Sequence, residues 1–295
     1  MTLGNCAEKW YLGYNHMLTP RGGYDWSLVY GDAGHRTLNQ WYQGVPMESA
    51  LASLQLPDDV ILDSSIEMKL RFWQAVHDVQ LRRYAVYYQD DLEIPIHLNE
   101  TILTVEYEGL KLCGKIDLGK EHEREGPVLD DHKFIGRFDP LYTEGFYYRF
   151  QFMFYMWLAN KAGYEVNGME VNAIKKPALK QGQYESIEAY AARVEQAMIQ
   201  EPEKYFKRTF LPFDEEAMIR FEQRVLRPKL FRLHLLTQHD TPDTIVELIA
   251  RDQNTDNCVK YGKKCPFMPM CQNGWMTERA SYKIREHKHE ELVDE

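Results

Sequence analysis

Apolar and polar residues alternate along the middle of the chain, between residues 94 and 133, and this pattern predicts β-strands. The even positions of one segment read as a core face, with polar residues between them: Leu110, Leu112, Ile116 and Leu118. A charged break between Gly119 and Gly126 suits a solvated hairpin connection to a second strand over residues 128–133. Two adjacent strands therefore form the predicted centre of the fold.

Apolar residues at helical spacing predict helices on both sides of this centre. The N-terminal part holds a short helix, a turn at Gly22 and Gly23, and a helix that begins near His35. Residues 168–176 alternate enough to be another strand. The remaining helical segments are 46–88, 142–159, 187–200 and 214–236, the last interrupted near Pro228.

The two central strands carry the residues that could bind a metal ion or take part in catalysis. Successive strand residues face opposite sides, so Asp131 and Lys133 share one face while Asp130 and His132 share the other. Pairing the strands brings Asp117 beside Asp131. Carboxylate oxygens suit Mg²⁺ or Mn²⁺, which can bridge a scissile phosphate. Two acids and a lysine on a hairpin also describe an exposed pair of strands with cross-strand ion pairs.

Two further features favour the catalytic interpretation. Gln151 and Tyr155 lie four residues apart, so they share a helix face and can hydrogen-bond to a substrate. The alternative interpretation is that Gln151 and Tyr155 belong to an ordinary buried helix without a catalytic role. His35 follows Gly31 and Gly34, and its neutral imidazole can ligate Mn²⁺. A single histidine is more often structural.

Together these motifs resemble the PD-(D/E)XK nuclease superfamily, in particular its RecB-like branch, which includes AddB-type and CRISPR-adaptation nucleases. That branch shows, in chain order, a histidine after a glycine, a strand glutamate, a Gly-x-x-Asp strand, an Asp-x-Lys strand and a Gln-x-x-x-Tyr helix. The matching residues are Gly31, Gly34 and His35, then Glu106, then Gly114 and Asp117, then Asp131 and Lys133, then Gln151 and Tyr155. Glu108, on the same strand face, is the alternative to Glu106.

The resemblance implies a restriction-endonuclease-like α/β fold, with a mixed central sheet flanked by helices. We expect one elaborated nuclease domain over residues 1–295. Within it, residues 44–92 would form a helical insertion lobe, 94–176 the catalytic core, and 249–276 a cysteine-bearing clasp that closes on the N-terminal helix.

The resemblance also implies site roles and an activity. The metal ligands would be His35, Asp117, Asp131 and the backbone carbonyl of His132. Lys133 would be the catalytic lysine, with Gln151 and Tyr155 positioning it and the substrate. The implied activity is a Mg²⁺- or Mn²⁺-dependent DNA exonuclease acting at free ends or single strands in recombination, repair or DNA degradation, with a helicase or recombination partner. The alternative is a noncatalytic or partner-dependent DNA-binding module.

Three of the five cysteines crowd into the last 40 residues. The N-terminus lacks a signal-peptide pattern, so we expect a cytoplasmic protein with reduced thiols, for which such a cluster indicates metal binding. Cys6 and Cys113 are the candidates for a fourth ligand. In iron-sulfur relatives an N-terminal cysteine joins three near the C-terminus, which implies a [4Fe-4S] cluster. Its ligands would be Cys6, Cys258, Cys265 and Cys271, with Zn²⁺ as the alternative because the cysteine spacing departs from those relatives.

The formal charge of −10 argues against tight, nonspecific coating of duplex DNA, because Lys and Arg drive phosphate binding. A narrow channel for one end or one strand remains compatible with it. Local basic residues that could follow a DNA backbone are Lys175, Lys176 and Lys180. No apolar stretch approaches the length of a membrane span.

Overall fold

A five-stranded sheet lies at the centre of the fold in the computed structural model. The structure describes residues 6–21, 26–52, 64–138, 145–238, 253–260 and 263–286. The sheet order is β2-β3-β4-β5-β6, in which β4 and β5 are parallel while β3–β4 and β5–β6 are antiparallel. This confirms the predicted mixed α/β, restriction-endonuclease-like fold. The strands are β2 Ile96–Tyr107, β3 Leu110–His122, β4 Gly126–Ile135, β5 Gly168–Lys175 and β6 Phe206–Pro212.

Helices and four short strands lie outside the central sheet in the described chain. No helix within the described ranges is both long and apolar enough to span a membrane. The helices are α1 Ala7–Trp10, α2 Trp26–Tyr42, α3 Met47–Ala52, α4 Ser64–Tyr87, α5 Phe150–Lys161, α6 Ile187–Gln200, α7 Glu215–Phe221, α8 Arg227–Gln238, α9 Met268–Asn273 and α10 Trp275–Glu278. The further strands are β1 Leu18–Pro20, β7 Val259–Lys260, β8 Lys263–Lys264 and β9 Tyr282–Ile284.

The chain divides into two compact units. The sheet unit comprises residues 25–103 and 115–213, and the cysteine unit comprises 1–24, 104–114 and 214–295. The segment predicted as an insertion lobe, 44–92, belongs to the sheet unit. Its helices share a core with the sheet because Leu51 and Val76 pack in one apolar cluster with Leu118 and Ile174.

The cysteine unit joins the N-terminal and C-terminal parts of the chain. Leu12 and Leu18 form an apolar cluster with Phe267 and Tyr282. Strand β1 pairs antiparallel with β9, from Leu18 opposite Ile284 to Pro20 opposite Tyr282. These contacts join residues that are far apart in sequence, and the clasp over residues 249–276 stays a prediction.

Helix α2 differs from its prediction. It begins at Trp26, so His35 lies in its middle and Gly31 and Gly34 lie inside the helix instead of in a turn before it. A Cβ atom at Gly34 would lie 2.1 Å from the Phe134 ring, which explains glycine at this close approach. The predicted turn at residues 22–23 lies outside the described residues.

Three other elements also differ from expectation. Strand β3 continues to His122, so Gly119 is a strand residue, and Gly126 at φ +73° follows the turn. Strand β6 was not predicted. In the segment 214–236, α7 continues through a π-helical turn over Glu222–Leu226 into α8, which begins at Arg227. The helical backbone is therefore not interrupted at Pro228.

Candidate active site

The backbone pairing between strands β3 and β4 ends next to Asp117 and Asp131. Their paired residues run from His122 opposite Gly126 to Leu118 opposite Asp130. At the next position the backbone N–H of His132 donates to Asp117 Oδ2 at 2.8 Å. A side-chain carboxylate therefore accepts a hydrogen bond where the ladder would otherwise continue. Burial raises the pKa of Asp117, against the lowering effect of nearby cations.

His35, Glu100 and Asp117 offer a compact set of metal-ligand atoms, all within 4.8 Å of one another. His35 Nδ1 lies 3.3 Å from Asp117 Oδ2 and 3.7 Å from Glu100 Oε1. Burial by itself would lower the pKa of His35, but the two carboxylates raise it to about 9. One imidazole nitrogen and two carboxylate oxygens suit Mn²⁺ or Mg²⁺.

Glu100 is a site residue that the sequence reasoning missed. The motif match assigned the strand acid to Glu106, but Glu106 is an exposed residue of the cysteine unit and does not belong to this group. Glu100 has φ +45°, a conformation that residues with a Cβ rarely adopt and that is found at functional sites. Its Oε2 lies 2.7 Å from Lys115 Nζ. The polar pair Asn99 and Glu100 within a strand was the signal that could have found it.

Asp131 and Lys133 meet Gln151 and Tyr155 on one side of β4. Lys133 Nζ lies 2.6 Å from Asp131 Oδ2. Gln151 Nε2 donates to Asp131 Oδ1 at 3.2 Å and to Tyr155 Oη at 3.3 Å. Burial raises the pKa of Asp131 to about 6, although Lys133 opposes that shift. Burial would lower the pKa of Lys133, but the Asp131 and Asp117 carboxylates raise it overall, so its amine is an ammonium.

The His132 side chain lies on the other face of β4. Its ring stacks on Tyr42 with 5.6 Å between centroids, and its Nδ1 lies 3.3 Å from Asn172 Nδ2. Burial lowers the pKa of His132 to about 4, so the imidazole is neutral. The side chain anchors β4 to α2, while its backbone N–H holds Asp117.

Asp130 belongs to a buried ion-pair network on this second face. Lys120 Nζ lies 2.8 Å from Asp130 Oδ2 and 2.8 Å from Glu170 Oε2. Asp130 is fully buried, and Lys120 is 2% exposed. Arg208 pairs with Asp91 beside them. Of the two adjacent acids, Asp131 therefore faces the candidate metal site and Asp130 the network, as strand alternation predicts.

The four cysteines proposed as cluster ligands all lie in the cysteine unit. Partial burial raises the pKa of Cys271 to about 11, and Glu8 and the other three thiols, those of Cys265, Cys6 and Cys258, add to the shift. The backbone N–H of Cys265 donates to the carbonyl of Cys258 at 2.7 Å. The thiols of Cys6, Cys258 and Cys265 therefore all lie close enough to Cys271 to affect its pKa.

The predicted DNA-binding lysines occupy two settings. Lys175 is the last residue of β5, and the N–H of Lys176 donates to the Ile135 carbonyl at 2.7 Å. Both lie at the end of the parallel pair β4–β5. Lys180 is exposed in the following loop, where its carbonyl accepts a hydrogen bond from Arg193 at 2.8 Å.

Comparison with known proteins gives one family match. The profile of the PD-(D/E)XK nuclease superfamily matches residues 1–272. Among solved structures, a putative exonuclease from Eubacterium rectale has 11% identity and a TM-score of 0.38, with 71% of this chain and 68% of that chain covered. A second structure, SSO0001, has 13% identity and a TM-score of 0.26, with 68% and 74% covered. No curated protein matches the chain.

Proposed function

Because the chain belongs to the PD-(D/E)XK nuclease superfamily, we propose that it is a divalent-metal-dependent deoxyribonuclease. The observation that carries the proposal is the convergence of His35, Glu100 and Asp117 within 4.8 Å. The ion pair of Lys133 with Asp131 lies beside this group, since Asp117 and Lys133 act electrostatically on each other. Acidic oxygens, an imidazole and a lysine are the groups that hydrolysis of a phosphodiester requires.

Residues of this site fit a Mg²⁺ or Mn²⁺ ion. His35, Glu100 and Asp117 would hold it, with Asp131 as a further ligand. The backbone carbonyl of His132 stays a prediction from the family resemblance. When bound, the ion would supply a Lewis acid for the scissile phosphate. Glu100 takes the place that the motif match gave to Glu106.

Lys133 acts as a fixed positive charge in this proposal. Because its amine is protonated, it stabilises negative charge that develops on the phosphate and does not remove a proton. Gln151 orients Asp131 by donating to its Oδ1, which leaves Oδ2 for Lys133. Tyr155 accepts from the same amide and completes the face on which substrate would lie.

The finer parts of the proposal rest on the family resemblance. They are cleavage from free ends or of single strands, a role in recombination, repair or DNA degradation, a helicase or recombination partner, membership of the RecB-like branch, and a cytoplasmic location. Lys175 and Lys176, at the end of β5, are cations that support the binding of a DNA strand through its phosphates.

We also propose a [4Fe-4S] cluster in the cysteine unit. Its ligands would be the thiols of Cys6, Cys258, Cys265 and Cys271, of which the first three raise the pKa of the fourth. Structural zinc sites are usually built from tight Cys-x-x-Cys pairs, which these four positions do not form. Their scattered positions therefore favour a cluster over zinc.

End-labelled DNA tests the proposed activity. Single-stranded and duplex substrates, labelled separately at each end, are incubated with Mg²⁺ or Mn²⁺. We expect metal-dependent cleavage by the parent chain and at least about a thousandfold loss in Asp131→Asn, because that carboxylate would be both a ligand and the partner of Lys133. The label that is released first gives the polarity.

Two glutamate variants form a matched pair for the same assay. Glu100→Gln should lose most cleavage, whereas Glu106→Gln, which changes an exposed acid on the same strand, should cleave like the parent. Cleavage that survives in Asp131→Asn would refute the site. No cleavage by the parent, despite retained Mn²⁺ and DNA binding, would favour the noncatalytic DNA-binding module instead.

A further inference from the structure

Aromatic rings and a lysine ammonium meet near the end of β4 and β5. Trp73, on α4, is 36% exposed, and its ring packs edge-on against Tyr30 with centroids 5.5 Å apart. Lys176 Nζ lies 4.3 Å from the Tyr30 ring centroid and 5.9 Å from that of Trp73. We call Trp73, Tyr30 and Lys176 the aromatic-lysine patch. It offers a flat apolar surface and a cation in one place.

A short series of ring contacts connects this patch to the candidate metal site. Tyr30 contacts Phe134 with 5.8 Å between centroids, and Phe134 contacts His35 at 6.0 Å. Every residue in the series belongs to the sheet unit. The straight-line distance from the patch to His35 is thus no more than the length of a few nucleotides.

Hydrogen bonds hold Tyr30 and the backbone of Lys176 in place. Tyr30 Oη donates to Gln80 Oε1 at 2.5 Å, and Gln80 Nε2 donates to the Lys175 carbonyl at 2.6 Å. The Lys176 N–H is bonded to the Ile135 carbonyl. The ring of Tyr30 and the backbone that carries Lys176 are therefore fixed before any ligand arrives, which lowers the entropic cost of binding.

We propose that the aromatic-lysine patch binds one unpaired nucleotide of a single-stranded DNA segment, a few nucleotides from the bond that is cleaved. The base would stack on the exposed part of the Trp73 indole, and Lys176 would pair with the adjacent phosphate. Both faces of a base inside a duplex are already stacked, whereas a single strand can turn a base face toward Trp73. The proposal rests on the nuclease function above and specifies its substrate as single-stranded.

Binding without cleavage gives the test. All proteins carry Asp131→Asn to block hydrolysis, and fluorescence anisotropy measures the binding of labelled single-stranded and duplex oligonucleotides. Trp73→Leu should weaken single-strand binding about tenfold and leave duplex binding unchanged. Trp73→Phe, which keeps an aromatic face, should restore most of the affinity. The control is Tyr184→Leu, which removes a 94% exposed aromatic ring elsewhere in the sheet unit and should have no effect.

Salt dependence tests the lysine separately. Lys176→Gln should weaken single-strand binding and reduce the slope of log affinity against log salt by about 0.7, the value for one phosphate contact on a single strand. Equal affinity of Trp73→Leu and its parent, or equal weakening for both substrates, would overturn the proposal. If the patch variants behave as expected but the protein with Asp131 restored cleaves no DNA, the patch stands and the nuclease function fails. If the protein cleaves DNA but Trp73→Leu leaves single-strand binding unchanged, only the proposal about the aromatic-lysine patch is overturned.

Discussion

His35 carries a proton that a metal ion would displace. The carboxylates of Asp117 and Glu100 raise its pKa to about 9, so the imidazole is positively charged at neutral pH. A metal ligand must be a neutral imidazole. At this residue, proton binding and metal binding therefore compete directly, and the apparent metal affinity should increase as the pH rises toward 9.

Mn²⁺ binding should consequently release close to one proton at about pH 7.5, mostly from His35. Asp131, with a pKa of about 6, is already ionised there and contributes little. Titration calorimetry in buffers of different ionisation enthalpy measures the release. His35→Gln should abolish it, whereas His97→Gln, which changes an exposed histidine on β2 paired with Glu121, should not. A parent chain that releases no proton would contradict the expectation.

Strand alternation was sufficient to separate neighbouring residues of β4. It assigned Asp131 and Lys133 to one face and Asp130 and His132 to the other, and the contacts follow that division. Glu100 could not be found in the same way. Its carboxylate reaches His35 from a left-handed backbone position, which breaks the regular period on which such reasoning depends.

Among the secondary-structure elements, helix α2 contributes residues to the sites on both faces of β4. It supplies His35 to the candidate metal site and Tyr42 to the buried network, where the Tyr42 hydroxyl donates to Asp91 at 2.7 Å. Gly34 lets the helix approach Phe134 of β4. The position of His35 thus depends on how closely this helix packs on the sheet.

Gly34→Ala should disturb that packing. The added Cβ would overlap the Phe134 ring, and relief of the overlap should destabilise the protein by about 1–3 kcal/mol and weaken Mn²⁺ binding. Gly31→Ala is the matched control in the same helix, since no heavy atom lies within 4 Å of its added Cβ. It should be neutral or up to about 1 kcal/mol more stable. Thermal unfolding and Mn²⁺ titration distinguish the two, and equal behaviour would argue against the close contact.

The boundaries of elements were less predictable than their existence. Glycine usually marks a turn, so Gly31 and Gly34 suggested a helix that starts after them, and Gly119 suggested the edge of a hairpin. In the folded chain the contact with Phe134 explains Gly34, and Gly119 lies against Leu98. Tertiary contacts of this kind leave no trace in local periodicity.

At the scale of the whole molecule, the candidate metal site and the cysteines lie in different compact units. The N-terminal and C-terminal segments of the cysteine unit come together through β1, β9 and an apolar cluster around Phe267. The motif order was enough to indicate the family. The division into two units was not predictable, because each unit combines segments that are far apart in the chain.

Cysteine substitution should therefore affect one unit selectively. In protein purified without oxygen, Cys271→Ser should lose its iron and its visible charge-transfer absorbance, whereas Cys113→Ser should keep both. Cys113 is a suitable control because it lies in the same unit but is not one of the four proposed ligands. Metal analysis measures the outcome. Zinc without iron in the parent chain would replace the cluster with the zinc alternative.

Asp117 has two tasks, since its carboxylate faces His35 and also accepts the hydrogen bond of the His132 N–H. Asparagine would keep an oxygen for that N–H while losing the negative charge, but alanine would leave the N–H without this acceptor. Loss of catalysis through Asp117→Asn would therefore cost less folding stability than loss through Asp117→Ala. A descendant with Asn at this position would be expected to fold and to have lost its cutting activity, and such a substitution would mark a pseudoenzyme lineage.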